Sequence, residues 1–586
     1  MTSQRPVSVD PPTSAEARSG FLAGIPLAVI LLLIGLVVWQ ASVRALNGTL
    51  EAESAEIARQ FLQLGDWGVN HMNGAEDYDK PPLYFWTIGL ARSVTGARWE
   101  LAARLPSLVS MVLLMLLFRL LPQESSQRTP VLLAAAILVT SPKVIGMAQM
   151  ARMDLMLCLL VFAAILSFAR YWVSPEREAG GRNHGYYLFF IAAALAVMTK
   201  GPVGFIVTGV PVFLFLLLQG AFRELSRVFL GRGMLLFLAL ALPWFVYASV
   251  ITEGRFFRWF ILEENLSRFG NLFSMLQFTT FQRQPGWQYL MHFLWGFFPW
   301  ALFIPVIIYQ VLRDRSRRAG VEGLLVVYIL WILLFFSLSG IKRSDYILPL
   351  YPAAAWLVAG YLSLEVRPRL LRRVFLVTSG TALVLLLLLA LVPQILSSEW
   401  AGAWLTKSMG PERLAEARPY LATLGEWLHY ILGGILLLGV LWGFGWALRE
   451  RRPLVRLYIV FQGILLAFIL FMMQSINSVR EDTRPYIAAI ASLVGERPVY
   501  MYRSWDEEYG FYLDRRVPEV NEAELMQIMK GKQGELSYIL IEPKYFRRLF
   551  NSPAEVPFFF AEGMPPDRPM YLIANASPQN MDQSMP

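Results

Sequence analysis

Apolar residues fill long segments of the chain, and short polar stretches separate these segments. A lipid core about 30 Å thick requires roughly 20 apolar residues in a helix, because lipid cannot hydrogen-bond to the backbone. Nine segments meet this requirement clearly: 21–43, 202–222, 233–251, 287–312, 321–341, 346–364, 374–397, 427–448 and 457–474. Four more are shorter or have polar edges: 105–118, 131–150, 155–173 and 186–198. The pattern predicts an all-α polytopic membrane protein with about 13 transmembrane helices.

The composition agrees with this class. Of the 586 residues, 56% are hydrophobic and 16% are charged, whereas soluble domains have about 25% charged residues. The single cysteine excludes an internal disulfide, and the four histidines lack metal-ligand spacing. The sequence therefore predicts no metal site, and it leaves open whether a divalent metal ion binds. The net charge of +9 comes from arginine clusters between apolar segments, a pattern typical of membrane topology rather than of nucleic-acid binding.

Arginine clusters occupy every second connection, as at 223–232, 313–318, 367–373 and 449–456. The positive-inside bias therefore predicts a cytoplasmic N-terminus, with residues 1–20 disordered and residues 21–475 forming the membrane domain. The first outer loop spans 44–104, and the tail 476–586 also lies outside. The tail has β-type runs at 498–502, 537–541 and 570–573 and a helical stretch at 522–529. These predict a small α/β domain, for which a packing or docking role is favoured.

The first outer loop has two notable segments. Residues 51–62 place Ile57 and Phe61 on one face of a helix and charged residues on the other, so this helix should lie along the membrane surface. Further along, Pro81 and Pro82 fix the start of a second helix. They hold Asp79 and Lys80 at the water boundary. The alternative is that these two charges belong to an ordinary solvated loop.

Further charged residues lie at the outer ends of predicted helices, where an ionisable residue is a functional candidate. They are Arg152, Asp154, Lys200, Arg255, Arg258, Arg268, Lys342 and Arg343, accompanied by Tyr346. Positive charge is disfavoured on this side, so these cations suggest a specific anion such as a lipid-linked phosphate. Interfacial snorkelling explains any one of them equally well. Several on one face favour the phosphate.

The motifs together resemble a known family. They are Gly65-Asp66-Trp67, Asp79-Lys80-Pro81-Pro82-Leu83, Arg104-Leu105-Pro106-Ser107, Arg152-Met153-Asp154, Thr199-Lys200-Gly201-Pro202 and Lys342 to Pro349. In this order they resemble the bacterial branch of the GT-C glycosyltransferases. That branch is related to protein O-mannosyltransferases and includes the lipid A aminoarabinose transferases.

The resemblance implies an enzyme of the bacterial inner membrane with a periplasmic active site and a periplasmic tail. Such an enzyme moves a sugar from a polyprenyl phosphate, usually undecaprenyl phosphate, to lipid A or another envelope glycolipid. Asp154 matches a family acidic residue and Lys80 the lysine of an (acid)-Lys-Pro motif, whereas Asp79 stands where glutamate is common. The chain has Leu50-Glu51 where relatives often have Asp-Glu, so Glu51 or Glu53 supplies the missing carboxylate.

Sugar transfer requires cations for the departing phosphate and, for a hydroxyl acceptor, a carboxylate base. The expected catalytic residues are Glu51, Asp79 and Asp154. The expected phosphate-binding residues are Lys80, Arg152, Lys200, Arg258, Arg268, Lys342, Arg343 and Tyr346. A phosphate acceptor would need no base.

Two other classes compete with a transferase. A lipid or sugar transporter or flippase would also have many spans, but it predicts charges in mid-membrane and repeated halves. A non-catalytic membrane scaffold would explain the tail but not the motifs.

Overall fold

A computed structural model describes most of the chain. The described residues are 14–46, 48–122, 131–266, 285–338, 342–396, 428–480, 482–503, 506–530, 536–550, 552–564 and 569–576. The helices before the tail are α1 (Ser14–Val43), α2 (Gly48–Leu64), α3 (Leu83–Thr95), α4 (Trp99–Leu117), α5 (Val131–Val139), α6 (Pro142–Ala148), α7 (Asp154–Trp172), α8 (Pro175–Glu178), α9 (His184–Lys200), α10 (Val203–Leu218), α11 (Phe222–Phe229), α12 (Arg232–Ile251), α13 (Gln288–Gly296), α14 (Ile304–Arg313), α15 (Arg315–Ala319), α16 (Val321–Ser337), α17 (Leu350–Leu364), α18 (Pro368–Leu396), α19 (Leu428–Ala447) and α20 (Arg451–Arg480).

Each of the thirteen predicted apolar segments coincides with a helix or a bent pair of helices. Within the described ranges, seven single helices or continuous stretches are long and apolar enough to cross a membrane. Two pairs are bent, α5 with α6 by 74° and α13 with α14 by 115°. The four others, α9, α10, α16 and α17, are shorter. The all-α polytopic class is confirmed, and the full count of thirteen crossings stays a prediction.

Two boundaries differ from the predicted ones. The first helix begins at Ser14, so the end of the segment predicted to be disordered is helical. The last membrane helix continues to Arg480, about one turn beyond residue 475. Apolar residues set the part of a helix that lipid must cover, but a helix continues into water wherever no proline or glycine stops it.

Local sequence explains the helix ends near the outer motifs. The predicted surface helix is present as α2, and α3 begins directly after Pro82 and ends at Gly96, which has φ +62°. Between these helices, strands β1 (Asn70–Met72) and β2 (Ala75–Asp77) form an antiparallel hairpin. Gly201, with φ +80°, ends α9, and Pro202 precedes α10. Glycine adopts this left-handed backbone without the steric cost of a Cβ atom.

The tail contains the predicted α/β unit. Its elements are α21 (Arg484–Val494), β3 (Val499–Tyr502), α22 (Glu507–Tyr512), β4 (Glu519–Val520), α23 (Glu522–Met529), β5 (Tyr538–Ile541), α24 (Pro543–Leu549), β6 (Phe558–Phe560) and β7 (Tyr571–Ala574). The sheet order is β4-β3-β5-β7-β6, with β3 parallel to β4 and β5 and the other pairs antiparallel. The central strand β5 is buried throughout. A small α/β unit at the C-terminal end is therefore confirmed.

Chain direction brings several motifs to one end of the bundle. The helix α7 begins at Asp154, whereas α9, which packs beside it, ends at Lys200. The turn 342–349 follows the C-terminal end of α16. The tail reaches this same end, because Arg484 donates a hydrogen bond to the Val43 carbonyl at the end of α1 (3.0 Å).

Candidate active site

A network of ion pairs joins the ends of α7 and α9. The Lys200 Nζ lies 2.5 Å from one carboxylate oxygen of Asp154, and the Arg152 Nε lies 3.1 Å from the other. The Asp154 side chain is only 3% exposed. A buried carboxylate needs paired cations of this kind to remain charged.

The turn after α16 extends this network. Arg152 also donates a 2.7 Å hydrogen bond to Asp345, and Arg343 lies 3.4 Å from the same carboxylate. Lys143, near the start of α6, donates to the Ser344 hydroxyl (2.8 Å). We name Lys143, Arg152, Asp154, Lys200, Arg343 and Asp345 the basic cluster. Tyr346 lies against it, with its ring centre 5.1 Å from Lys200 Nζ and 5.9 Å from Arg343 Cζ.

The basic cluster has an excess of positive charge. Its four cationic side chains exceed its two carboxylates by two charges. Both carboxylates are buried and Arg152 and Lys200 are mostly buried, so water screens these charges less than it would on an open surface, whereas Arg343 is 37% exposed. The arrangement suits a doubly charged anion such as a phosphate group, since arginine binds phosphate oxygens in a fork and lysine contributes a point charge.

The structure does not bring every predicted phosphate-binding residue into the basic cluster. The Lys342 ammonium donates to the carbonyls of Phe336 (3.3 Å) and Ser337 (2.6 Å), so these contacts hold it beside α16. Arg258 is exposed on the π-helical segment Phe257–Leu266. Arg268 lies outside the described residues. The basic cluster therefore contains Arg152, Lys200 and Arg343 from the predicted set, with Tyr346 against it.

The placement of Glu51 does not fit the predicted role of a catalytic base. Its carboxylate accepts hydrogen bonds from Arg104 Nε and Nη2 (both 2.9 Å), from Arg44 (3.0 Å) and from the Ala151 amide (2.7 Å). Burial alone would raise its pKa, but Arg104 and Arg44 overcome this effect and lower the pKa to about 2. Such a weak base accepts protons poorly near neutral pH. We therefore assign Glu51 a structural role that joins α2 to α4.

Asp79 and Lys80 belong to a second group of charges. Lys80 Nζ lies 2.5 Å from Asp79, its own neighbour in the chain. Glu53 on α2 interacts electrostatically with both of them, with Asp77 and with Glu507 from the tail. We name Glu53, Asp77, Asp79, Lys80 and Glu507 the acidic group. It has four carboxylates and one cation.

The environment of Glu53 makes it the carboxylate most easily protonated in this region. Burial, followed by the charges of Asp77, Asp79 and Glu507, raises its pKa to about 8. Burial and Asp79 likewise raise the pKa of Asp77 to about 6. Of the two carboxylates considered at the start of the first-loop motif, Glu53 is therefore the one that titrates near neutral pH.

An aromatic group connects the basic cluster and the acidic group. Phe256 and Phe260 stack with ring centres 5.2 Å apart, and Tyr78, adjacent to Asp79, contacts Phe256 edge-on at 6.2 Å. Phe260 also packs over Gly201, where an added Cβ would lie 2.7 Å from the ring. The aromatic group therefore extends from the acidic group to the residue beside Lys200.

Replacing Glu53 with glutamine should stabilise the protein at high pH. The folded state holds the Glu53 proton up to a pKa of about 8, whereas an unfolded glutamate loses it near 4.3. The folded state therefore loses stability as the pH rises from about 4 to 8, and glutamine avoids this loss. The thermal midpoint of Glu53→Gln should exceed that of the wild type by several degrees at pH 9 and only slightly at pH 5.

The matched control is Glu496→Gln, because Glu496 is exposed in the tail. Its thermal midpoint should follow the wild type at both pH values. If Glu53→Gln is no more stable than Glu496→Gln at pH 9, Glu53 is an ordinary charged carboxylate.

Several members of these groups were missed in the sequence. Asp345 lies inside a recognised motif, but sequence spacing in a turn does not tell which side chain faces the cluster. Lys143 is the last basic residue before the outer end of its apolar segment, which is a usable signal. No sequence signal places Glu507 in the acidic group, because it is more than 400 residues from Glu53 in the chain. Within the described part of the chain, no group of three or more His, Cys, Asp or Glu side chains is arranged to hold a metal ion.

Parts of the chain are similar to known proteins. Residues 79–247 match the family model described as dolichyl-phosphate-mannose-protein mannosyltransferase. Relatives named undecaprenyl phosphate-alpha-4-amino-4-deoxy-L-arabinose arabinosyl transferase occur in Erwinia tasmaniensis, with 30% identity over 54% of this chain and 55% of the relative, and in Edwardsiella ictaluri, with 29% identity over 53% and 54%. A relative with the same name and the suffix 2, from Sodalis glossinidius, is 33% identical over 55% of this chain and 56% of the relative. The chain is therefore similar to these transferases over part of its length.

The fold extends the similarity beyond the aligned sequence. The crystal structure of ArnT from Cupriavidus metallidurans bound to undecaprenyl phosphate has a TM-score of 0.73 at 20% identity and covers 97% of this chain and 100% of that one. At this identity the likeness shows the fold alone. In sequence, the chain spans about half the length of the curated relatives it matches. The matched family segment includes Lys80, Arg152, Asp154 and Lys200.

Proposed function

We propose that the protein is an integral membrane glycosyltransferase. It transfers a sugar from a polyprenyl phosphate, such as undecaprenyl phosphate, to lipid A or another envelope glycolipid. The observation that carries the proposal is the buried basic cluster, with two positive charges in excess at the ends of apolar helices. A lipid-linked phosphate in the bilayer reaches that position without leaving the membrane surface. The names of the sequence relatives support the same substrate class.

The basic cluster has the charge required by the leaving group. In the transfer step, the bond between the anomeric carbon and the donor phosphate oxygen breaks, and a bond from that carbon to an acceptor oxygen forms. The electron pair of the broken bond remains on the phosphate, which leaves as polyprenyl phosphate. Lys200, Arg152 and Arg343 would stabilise this developing charge because they are fixed before the reaction. Lys80, at the edge of the acidic group, is a further candidate contact.

The arrangement of carboxylates favours an acceptor that is already an anion. Glu51 and Asp154, the two candidate bases, are both ion-paired with cations. A hydroxyl acceptor needs a base, whereas a phosphate oxygen attacks without losing a proton. A phosphate of lipid A meets this requirement. The acidic group would then orient the sugar and, for an aminosugar, bind its amine.

The orientation follows from the arginine clusters. The arginine clusters at 223–232, 313–318, 367–373 and 449–456 lie at helix ends and in short helices, at the end of the bundle opposite the basic cluster. The positive-inside bias assigns that end to the cytoplasm. We therefore place the basic cluster and the tail on the periplasmic side of a bacterial inner membrane, with residues 21–475 as the membrane domain and 476–586 as the periplasmic domain.

Mass spectrometry of envelope lipids tests the function. Lipid A and other glycolipids are compared between cells with and without the gene, and between rescue with the wild type and with the cluster variant Lys200→Gln. The proposal expects one glycolipid to lose a sugar mass without the gene and to regain it only with the wild type. Unchanged glycolipids, together with gene-dependent movement of a lipid or sugar across vesicles, would instead indicate a transporter.

A further inference from the structure

A cavity lined by charged residues lies where the tail meets the membrane helices. Its volume is about 750 Å³, and its lining includes four arginines, Arg59, Arg92, Arg98 and Arg484. The aromatic rings of Trp99 and Phe511 lie between them. We name this cavity the arginine cleft. None of its lining residues belongs to the basic cluster or to the acidic group.

Two of the four arginines are neutralised by their surroundings. Arg59 pairs with Glu56 and with Asp514 (2.6 Å), and it is 8% exposed. Arg484 pairs with Asp482 (2.8 Å) and contacts Glu100 at 3.4 Å. These two residues hold the tail against α2 and α4, so their charges are used within the protein.

The other two arginines are less closely paired with acids than the first two. Arg98 has a side chain that is 73% exposed, and it reaches Glu100 only at 3.5 Å, a carboxylate that it shares with Arg484 and the Tyr512 hydroxyl. Arg92 donates to the carbonyls of Gly96 and Ala97, which carry no formal charge. Its guanidinium lies 5.3 Å above the Trp99 ring. Arg92 and Arg98 therefore present two adjacent donor forks suited to phosphate oxygens.

Part of the remaining wall of the cleft is apolar, and the cleft lies near the end of the membrane helix α1. Leu62 on α2 is 38% exposed, and Ala488 on α21 is also exposed. Arg484 in the lining bonds to the carbonyl of Val43, where α1 ends. Trp99 is the first residue of α4, and tryptophan is enriched at this depth of a bilayer. A ligand that fits both walls has an anionic head and an apolar tail.

We propose that the arginine cleft binds the head-group phosphate of an amphiphilic lipid at the periplasmic surface of the inner membrane. This lipid site is separate from the basic cluster, and it does not depend on the sugar transfer proposed above. The phosphate contacts Arg92 and Arg98, and the first part of the acyl chains lies against Leu62 and Ala488.

Native mass spectrometry of the full-length protein in detergent tests the proposal. The probes are dioleoyl phosphatidic acid, dioleoylglycerol with the same chains and no phosphate, and inorganic phosphate. We expect the wild type to retain phosphatidic acid and not dioleoylglycerol. Arg98→Gln should weaken retention about tenfold, the usual effect of losing one charged hydrogen-bond donor, and Arg98→Glu should weaken it further. Because Arg98 is exposed, these variants should fold.

Three comparisons make the result decisive. Arg547→Gln, on an exposed position of α24, should retain phosphatidic acid like the wild type. Equal retention by Arg98→Glu and Arg547→Gln overturns the inference. A loss in Lys200→Gln but not in Arg98→Glu places the lipid in the basic cluster and also overturns it, while leaving the proposed transferase intact. If inorganic phosphate displaces bound phosphatidic acid as well as unlabelled phosphatidic acid does, the cleft is a free-phosphate site, and the proposal of a lipid ligand is wrong.

Discussion

Replacing Lys200 with glutamine should lower the rate of sugar transfer by about a hundredfold to a thousandfold, the range found when a fixed charge-stabilising donor is removed. The lysine ammonium lies 2.5 Å from Asp154 and is the cation of the basic cluster contributed by α9. Without it, the departing phosphate loses one stabilising charge, whereas Asp154 keeps its ion pair with Arg152. The measurement is transfer by purified protein in vesicles containing the lipid-linked donor and lipid A.

The matched control is Lys544→Gln, a lysine of the tail with a side chain that is 62% exposed. Its rate should equal that of the wild type. Lys200→Arg, which keeps the charge, should recover part of the lost rate. If Lys200 were purely structural, the fall in activity of Lys200→Gln would be explained by a lower thermal midpoint. Equal rates for Lys200→Gln and Lys544→Gln would remove Lys200 from the site.

Removing Arg104 should destabilise the protein by about 3–5 kcal/mol, the usual effect of leaving a buried ion without its partner. The Arg104 side chain is 0% exposed and donates to both oxygens of Glu51. It also donates to the backbone carbonyls of Ala41, Arg44 and Ala45. In Arg104→Met these carbonyls lose a donor, so this variant should have the lowest thermal midpoint of the set. Glu51→Gln should be destabilised less, because its amide oxygen still accepts one hydrogen bond.

This pair of variants also separates structure from catalysis. If Glu51 only stabilises the fold through Arg104, both variants should lose total activity as they lose folded protein, and activity per folded molecule should stay near that of the wild type. Glu496→Gln, an exposed tail variant, should match the wild type. A Glu51→Gln protein with a wild-type midpoint and no transfer would instead make Glu51 the base that sequence reasoning expected.

Helix positions and the meeting of Asp154 with Lys200 could be predicted from the sequence. Apolar length locates the helices, because lipid imposes it on every span. Alternating chain direction then puts the start of one helix beside the end of another, so residues 154 and 200 had to lie at the same end. Side-chain partners inside turns were less accessible. Lys342 and Asp345 are three residues apart, yet one bonds to carbonyls of α16 and the other pairs with Arg152.

The role of Glu51 could not be read from its position in a motif. A carboxylate on the polar face of a surface helix is indistinguishable, in sequence, from one that is buried against an arginine 53 residues away. The interaction of Glu53 with Glu507 depends on how the tail packs against α2, which no local pattern encodes. Long-range packing of charged residues therefore determines that Glu51 is ion-paired within the protein and that Glu53 titrates near neutral pH.

The site of the donor phosphate can be located directly by photolabelling. An undecaprenyl phosphate analogue with a photoreactive group beside the phosphate is crosslinked to the full-length protein in vesicles, and the labelled peptides are identified by mass spectrometry. The account predicts labelling within 143–154, at 199–202 and at 342–346, all reduced in Lys200→Gln but not in Lys544→Gln. Labelling confined to the arginine cleft at 92–99 and 484–488, or unaffected by Lys200→Gln, would contradict it.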